Sequence, residues 1–405
     1  MKWLRTAWRN VLRNRRRAIT TITITAIAVT AILLGGGFAN YTYHGLREMA
    51  ARDSGHLLFS HKDYFAKDEE IPMQYGLTNY TDLITEIGQD RDIRYVLPRI
   101  NFSGLISNGD KSIIFMGTGV DPVGEFRVKG PFLTMVAGSV LSRRETTEDP
   151  KVVIGEKMAA SLGVAPGDYL TLMTTTVEGS LNAFDVTVQG VMTTGVPERD
   201  RYALYVNIST AQELMQTNKV STLSIYLRNT SDTKAYMHKL QTQYPELAWQ
   251  TWLDTASYYR AVKGLYNRIF GLLGLIILVM VFFSISNTVS MSVIERTREI
   301  GTLRAIGAYP REINRGLALE GLVIGLVGSF IGLLLGWVFS YLLYFTNWQM
   351  PPPPGRSEGY PLAIDIPPAL YIGATVLSIL ICILAAWLAA RQASSKPIVE
   401  ALSHV

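Results

Sequence analysis

Cysteine occurs once in the 405 residues, as Cys382 inside an apolar run. That excludes an intrachain disulfide and a cysteine-based zinc cluster. Histidine is sparse too: His44, His56, His61, His238 and His404 are scattered, and no HExxH pairing occurs. Neither a GxSxG elbow nor a GxxxxGKS/T phosphate loop is present, so the sequence offers no catalytic residue and no metal ligand set. His56 and His61 are near enough in sequence to approach each other, and the expectation for them is a solvated loop pair. Acid is missing from residues 1–17, which carry seven Lys and Arg, whereas residues 41–268 carry 23 Lys and Arg against 26 Asp and Glu. The net charge of +5 therefore resides outside the central region. This argues against nucleic-acid binding by that region and for basic segments held on the cytoplasmic side of a membrane.

What the chain does have is long apolar runs. It is 48% hydrophobic with a mean hydropathy of +0.18, apolar for a soluble enzyme and polar for a protein wholly in lipid. Residues 271–293 contain no ionisable group, and as a helix they cross a hydrocarbon layer about 30 Å thick. Residues 18–39, 317–345 and 367–390 are read as further spans. A signal peptide is the rival reading of residues 18–39, but its apolar region would be shorter and followed by a cleavage site. The segment MKWLRTAWRNVLRNRRR at 1–17 sets Trp3, Leu4, Ala7, Trp8, Val11 and Leu12 against Arg5, Arg9, Asn10 and Arg13 at helical spacing, which predicts an amphipathic interfacial helix. Gly321, Gly325, Gly328, Gly332 and Gly336 repeat at small-xxx-small spacing, and the expectation is packing of the third span against the fourth. Ser284, Ser286, Asn287 and Ser290 are read as groups bonding between helices. Glu320 is expected to reach water, Arg311 or Arg315.

Between the first two spans, residues 40–268 alternate strand-like runs (HLLFSH, SIIFMGTGV, YLTLMTTTV, FDVTVQGVM, STLSIYLR) with helical ones at 81–89, 155–162, 210–216 and 232–244. That predicts a large α+β domain, in which Asp68, Glu69 and Glu70 mark an exposed loop. Residues 252–268 read as a helical stalk leading to the second span. The stretch PPPPGRSEG at 351–359 reads as stiff polyproline and a turn, close to Tyr341, Tyr344 and Trp348 as outer-interface aromatics.

The charged segment ERTREIGTLRAIGAYPREINR at 295–315 follows the second span directly. Ile294, Ile300, Leu303, Ala305 and Ile306 give it an apolar side; Gly307 offers a C-cap and Pro310 resists continuation. ERTREIGTLRAIGA resembles the signature of FtsX/MacB-like permeases, the membrane subunits of a class of ABC transporters. GHLLFSH at Gly55, VLPRINFSGLISNG at Val96, MGTGVDP at Met116, VVIGEKMAASLGVAPGDYLTL at Val152, VTVQGVMTTG at Val186 and the tail from Ala390 to Leu402 are similar to that family in the same order.

The resemblance implies a fold of four transmembrane α-helices with a large α+β extracytoplasmic domain inserted between the first and second. Its parts are an interfacial helix at 1–17, a first span at 18–39, a MacB-like domain at 40–268, an FtsX-like three-helix membrane domain at 269–390 and a cytoplasmic tail at 391–405. Within the membrane domain, 294–307 corresponds to the coupling helix that docks on the ATPase, carried by Glu295, Arg296, Arg298, Glu299, Gly301, Arg304, Ala305 and Gly307. The location implied is the bacterial inner membrane with both termini cytoplasmic. The partners implied are two ABC-type ATPase subunits and a second permease chain, identical or paralogous, with room for a periplasmic accessory protein. ATP and Mg would bind the ATPase, expected on a separate chain, and this chain would carry no cofactor. The outline looks closest to the lipoprotein-releasing permeases, so the expected cargo is a lipoprotein or lipid. Phe38, Tyr41, Tyr266 and Phe270 are candidates to line its cavity, with an aromatic belt as the competing reading. The other function open at this point is FtsX-like: transmission of motion to an extracytoplasmic wall hydrolase, with nothing transported.

Overall fold

In the computed structural model the described residues are 2–13, 15–67, 71–130, 133–142, 149–295, 297–346, 348–350 and 359–394. Within them, the side chains of residues 2–6, 12, 298–300, 303, 310, 360 and 392–394 are outside the description. The acidic loop at 68–70, the polyproline stretch at 351–358 and most of the tail also lie outside the described residues. The chain divides into two compact units. One comprises Met1–His44, Ala261–Gln349 and Pro361–Val405; the other comprises Gly45–Arg260 and Met350–Tyr360.

The first unit holds the apolar helices. Helix α1 (Lys2–Arg13) is followed by α2 (Arg15–Ser54), whose polypeptide passes from the first unit into the second. The helix outlasts the expected end of the span near residue 39 because residues 40–54 contain no proline, and Leu46, Arg47, Glu48, Met49, Ala50 and Ala51 favour helix. Its end comes at Gly55, whose N–H donates to the carbonyl of Ala51. On α1, Ala7 and Val11 are buried in a cluster with Ala18, Val323 and Ile324, whereas Trp8 is exposed.

The second unit holds the elements between the first and second spans. Here β1 (Leu57–His61), α3 (Tyr80–Ile87), β2 (Ile93–Ser107), β3 (Ser112–Val120), α4 (Pro122–Lys129), β4 (Thr134–Gly138), β5 (Lys151–Gly155), α5 (Glu156–Leu162), β6 (Tyr169–Thr175) and β7 (Leu181–Thr193) come first. They are followed by α6 (Pro197–Asp200), β8 (Ala203–Asn207), α7 (Ile208–Met215), β9 (Thr222–Leu227), α8 (Thr233–Gln243), β10 (Leu247–Thr251) and α9 (Trp252–Thr255). One sheet of ten strands has the order β10-β1-β9-β2-β3-β8-β5-β7-β4, with β6 pairing both β2 and β7. Along one edge β2 changes partner, from β9 at residues 93–99 to β6 at 104–107. The pairings β2-β3-β8-β5-β7-β6-β2 therefore close a ring of six strands. Phe59, Ile100, Phe115, Ile154, Leu172, Leu204 and Ile225 fill the core at full burial or nearly so. Strand β6 alternates buried and exposed residues, as a half-buried strand should, while β9 is buried at all its positions and packs on both faces.

His56 departs from its expected place. It is buried, not part of a solvated pair, while His61 is exposed and stacks on Tyr75. The Leu227 N–H donates to His56 Nδ1 at 3.1 Å, and Nε2 lies 3.0 Å from Thr230 Oγ1, which donates to Glu48 Oε1 at 2.7 Å. With Nδ1 accepting, Nε2 carries the proton and the ring is neutral. Burial, against an opposing pull from Glu48 and aided by Arg52 and Arg47, lowers the pKa from 6.5 to about 4. A histidine depressed in the folded state contributes stability that is complete above pH 6.5 and is lost as pH falls towards 4. The expected loss by pH 4 is about 3 kcal/mol. Amide hydrogen exchange of β9 at pH 7 and pH 4.5 should show this loss in the native chain and a much smaller one in His56→Gln. Equal pH dependence in both would contradict it.

Helices α10 (Ser257–Glu295), α11 (Thr297–Ala305), α12 (Pro310–Thr346) and α13 (Pro368–Ser394) follow, with all but the first four residues of α10 in the first unit. The stalk helix expected over 252–268 is broken at Ala256, between α9 and α10. Among the described residues, α2, α10, α12 and α13 are long and apolar enough to cross a membrane. Val281, Ile285, Val289 and Val293 recur every fourth residue on α10 and pack with Cys382, Ala385, Ala386 and Ala389 of α13.

The glycine stripe of α12 serves two neighbours, not the fourth span alone. A Cβ on Gly321 would lie 2.6 Å from the carbonyl oxygen of Cys382 on α13, whereas one on Gly332 would lie 2.7 Å from that of Ala26 on α2. Its lower half admits α13 and its upper half admits α2, since small residues let two backbones meet. Asn287 is exposed, and the bond between helices is made next door, where Thr288 and Thr21 hydroxyls lie 2.9 Å apart. Glu320 takes its 2.7 Å hydrogen bond from Asn10 Nδ2 on α1, a partner the sequence reading did not name.

Candidate functional site

The segment between α10 and α12 is held at both ends by local hydrogen bonds. Thr297 Oγ1 donates to the carbonyls of Val293 (3.0 Å) and Ile294 (2.8 Å), fastening α11 to the end of α10. At its other end, Ile306 N–H donates to Thr302 and Gly307 N–H to Arg304. Gly307 sits at φ +104°, a conformation that side chains resist and that turns the chain away from α11. Tyr309 N–H then donates to Glu312 Oε2 at 3.2 Å, capping α12 from within.

Of the residues named from sequence, Gly301 is buried, Arg304 is half-buried, and Ala305 and Gly307 are exposed. Glu295 is paired within the chain: Arg17 Nη2 lies 2.5 Å from its Oε1, tying the base of α2 to the end of α10. Arg296 and the side chains of Arg298 and Glu299 lie outside the described residues. Ile306 and Tyr309 are 80% and 73% exposed. Ile306 falls beyond the end of α11, so it does not share the expected apolar side. Among the described side chains of this segment they are the two most exposed apolar groups, and neither stands among the site residues named from sequence. The signal was available: a bulky aliphatic and an aromatic flanking a glycine turn, with no further apolar run to pack on.

The aromatic candidates divide. Phe38, Tyr266 and Phe270 meet, with ring centroids 5.9 to 6.5 Å apart. Tyr41 has no place in those ring contacts. Tyr43 takes it instead, with its ring centroid 6.4 Å from that of Tyr266 and its hydroxyl donating to Asn267 Oδ1 at 2.8 Å. The difference is one of helical phase, since residues two apart point to different sides of α2.

In the second unit, a buried charged network joins elements distant in sequence. Arg99 on β2 makes a two-pronged bond to Glu125 on α4 (2.6 and 3.2 Å), and its Nη2 also donates to Tyr226 Oη at 2.7 Å. Lys129 Nζ lies 3.2 Å from Glu125 and 3.3 Å from Asp53, and Asp53 pairs with Arg199 at 2.5 Å. Tyr226 Oη donates to the carbonyl of Arg52. Burial on its own would raise the Glu125 pKa, but Arg99 and Lys129 overcome it and hold the carboxyl below its ordinary range. The end of α2 is thus bound to α4, α6 and β9, and through Glu125 and Tyr226 the network extends to β2. Among the described residues no group of three or more His, Cys, Asp or Glu is placed to hold a metal ion.

Four helices long and apolar enough to cross a membrane among the described residues, a β-rich domain inserted after the first, and a turn-helix between the second and third define a multi-pass permease with a periplasmic MacB-like α/β domain. The chain belongs to the FtsX/MacB-like family of ABC transporter permeases: residues 18–243 match the MacB-like periplasmic core domain and residues 271–398 the FtsX-like permease C-terminal region. It is similar to the lipoprotein-releasing system transmembrane protein LolC of Xylella fastidiosa, at 24% identity over 73% of this chain and 75% of that one. It is also similar to the lipoprotein-releasing system transmembrane protein LolE of Haemophilus influenzae, at 23% identity over 65% of this chain. The chain spans 64% of LolE's length in that match. Among solved structures, the periplasmic region of MacB from Actinobacillus actinomycetemcomitans aligns with 52% of this chain and 95% of its own, at 14% identity and a TM-score of 0.37.

Proposed function

We propose that this permease extracts or exports a lipophilic cargo, a lipoprotein or a lipid, from the bacterial inner membrane, driven by separate ABC-type ATPase subunits that bind ATP and Mg. The observation that carries the reading is the exposed, internally braced segment Ala305–Tyr309 between two spans, in a chain similar over most of its length to LolC. Two ATPase copies and a second permease chain, identical or paralogous, complete the assembly, with both termini cytoplasmic and the domain after the first span outside. On this reading ATP-driven closure of the ATPases pushes α11. The continuous helix α10, 39 residues and about 58 Å long, and the helix α2 tied to its base by Arg17–Glu295 carry the motion outward. The cluster of Phe38, Tyr266 and Phe270 then borders the cargo, with Tyr43 in place of Tyr41. Leu272, Ile276, Met280 and Phe283 expose a stripe of α10, which suits the second permease chain or the cargo.

The test is reconstitution of the chain with its ATPase in proteoliposomes containing an acylated reporter protein. ATP-dependent release of the acylated form, with the unacylated form unaffected, is the expected result. ATP hydrolysis without release, together with capture of a wall hydrolase by the outer domain, would replace this reading with mechanotransmission.

A further inference from the structure

A cavity of about 430 Å³ opens on the membrane unit, lined by Glu312, Arg315, Ala318, Leu319 and Leu322 of α12 and by Ile383 of α13. Its volume falls in the range of small-ligand sites, about 300–1,000 Å³. Polarity is graded along it. Glu312 and Arg315 are exposed at the start of α12, and Ala318, Leu319, Leu322 and Ile383 are half-buried. Leu322 lies roughly 10 Å further along the helix axis than Arg315. The two charges, three residues apart on one face, do not form an ion pair with each other, and Arg315 meets no carboxylate within 4 Å among the described residues. One carboxylate oxygen of Glu312 caps Tyr309, which fixes the group at the rim.

A charged rim of both signs above an apolar floor matches a molecule with a phosphate, a primary ammonium and a hydrocarbon tail. We propose that this cavity is a binding site for one phospholipid with a zwitterionic primary-amine headgroup, of the phosphatidylethanolamine class. Arg315 takes the phosphate, Glu312 takes the ammonium, and the groove along Ala318, Leu319, Leu322 and Ile383 takes the upper part of an acyl chain. The paired charges disfavour an anionic headgroup, which would leave its net charge beside Glu312, and the floor disfavours a free phosphoamine. On the orientation proposed above the lipid belongs to the cytoplasmic leaflet, five residues from Pro310 and next to the coupling segment. The binding itself does not depend on that orientation or on the cargo.

The test is native mass spectrometry of the full chain, delipidated in mild detergent and titrated with dioleoyl phosphatidylethanolamine, phosphatidylcholine or phosphatidylglycerol. One phosphatidylethanolamine should be retained at least tenfold more tightly than either of the others, with no competition from millimolar phosphoethanolamine. Arg315→Gln should weaken it at least tenfold, and Glu312→Gln should reduce it to the phosphatidylcholine level. Ala318→Trp, which fills the floor, should remove it. A photo-crosslinker at Ile383 should label lipid. Equal retention of the three lipids, a preference for phosphatidylglycerol, indifference to both Arg315→Gln and Ala318→Trp, or crosslinking of Ile383 to a second copy or to the ATPase would each overturn the proposal.

Discussion

Replacing Ile306 with Asp and Tyr309 with Ala is expected to uncouple the permease from its ATPase, lowering their affinity by at least about a hundredfold. Among the described side chains of the loop these two are the most exposed apolar groups. They sit on a turn held by Gly307 and the Glu312 cap, so they are presented without a cost for ordering a flexible segment. A buried anchor in a partner groove typically contributes about 2 kcal/mol or more, so two such anchors exceed the roughly 2.7 kcal/mol that a hundredfold loss requires. Reversing Arg298 and Arg304 together should likewise abolish cargo-stimulated ATP hydrolysis, because charge of the wrong sign opposes docking. The measurement is the ATPase rate of the reconstituted complex with and without cargo, alongside retention of the ATPase through purification. Undiminished stimulation in both variants would remove the segment from the coupling path.

Glu125→Ala should destabilise the outer domain by about 3–5 kcal/mol. The carboxylate is 1% exposed and is shared by Arg99 and Lys129. Deleting it leaves two buried cations facing each other, with the Asp53–Arg199 pair as the remaining compensation. Replacing Arg99, Glu125 and Lys129 together by Met, Leu and Met should cost less than Glu125→Ala alone. Removing all three charges removes the desolvation penalty along with the attraction. Hydrogen exchange of the β2 and β9 amides in the full chain reads both effects. If the triple variant proved the worse of the two, the network's charges would be net stabilising and the argument from uncompensated burial would fail.

How much was legible before the fold was known depended on whether the signal was local. The spans declared themselves because lipid tolerates no long run with charges, and 271–293 has none. Helix α7 and strands β1, β3, β6, β7 and β9 fell where their residues alternate or recur. Strands β4, β5, β8 and β10, of five residues each, were not singled out, since short apolar runs look alike whether they form strand or helix; nor was β2, whose 15 residues carry Pro98 and Gly104. Helix α2 runs about 15 residues past the expected end of the span at residue 39, because the sequence changes there from lipid-compatible to polar while its helix propensity does not change.

The site divides along the same line. Sequence alone determined that this is a four-span permease with an inserted α+β domain and a charged turn-helix after the second span, because hydropathy, period and an ordered set of motifs all act over neighbouring residues. Only the tertiary structure decided which partner each group takes. It gave Glu320 to Asn10, Glu295 to Arg17, the upper glycines of α12 to α2, Tyr43 rather than Tyr41 to the aromatic cluster, and His56 to the core. Each of these depends on the rotation of one helix or the register of one strand against another. That is set by packing between residues up to some 300 positions apart, where no local pattern carries the information.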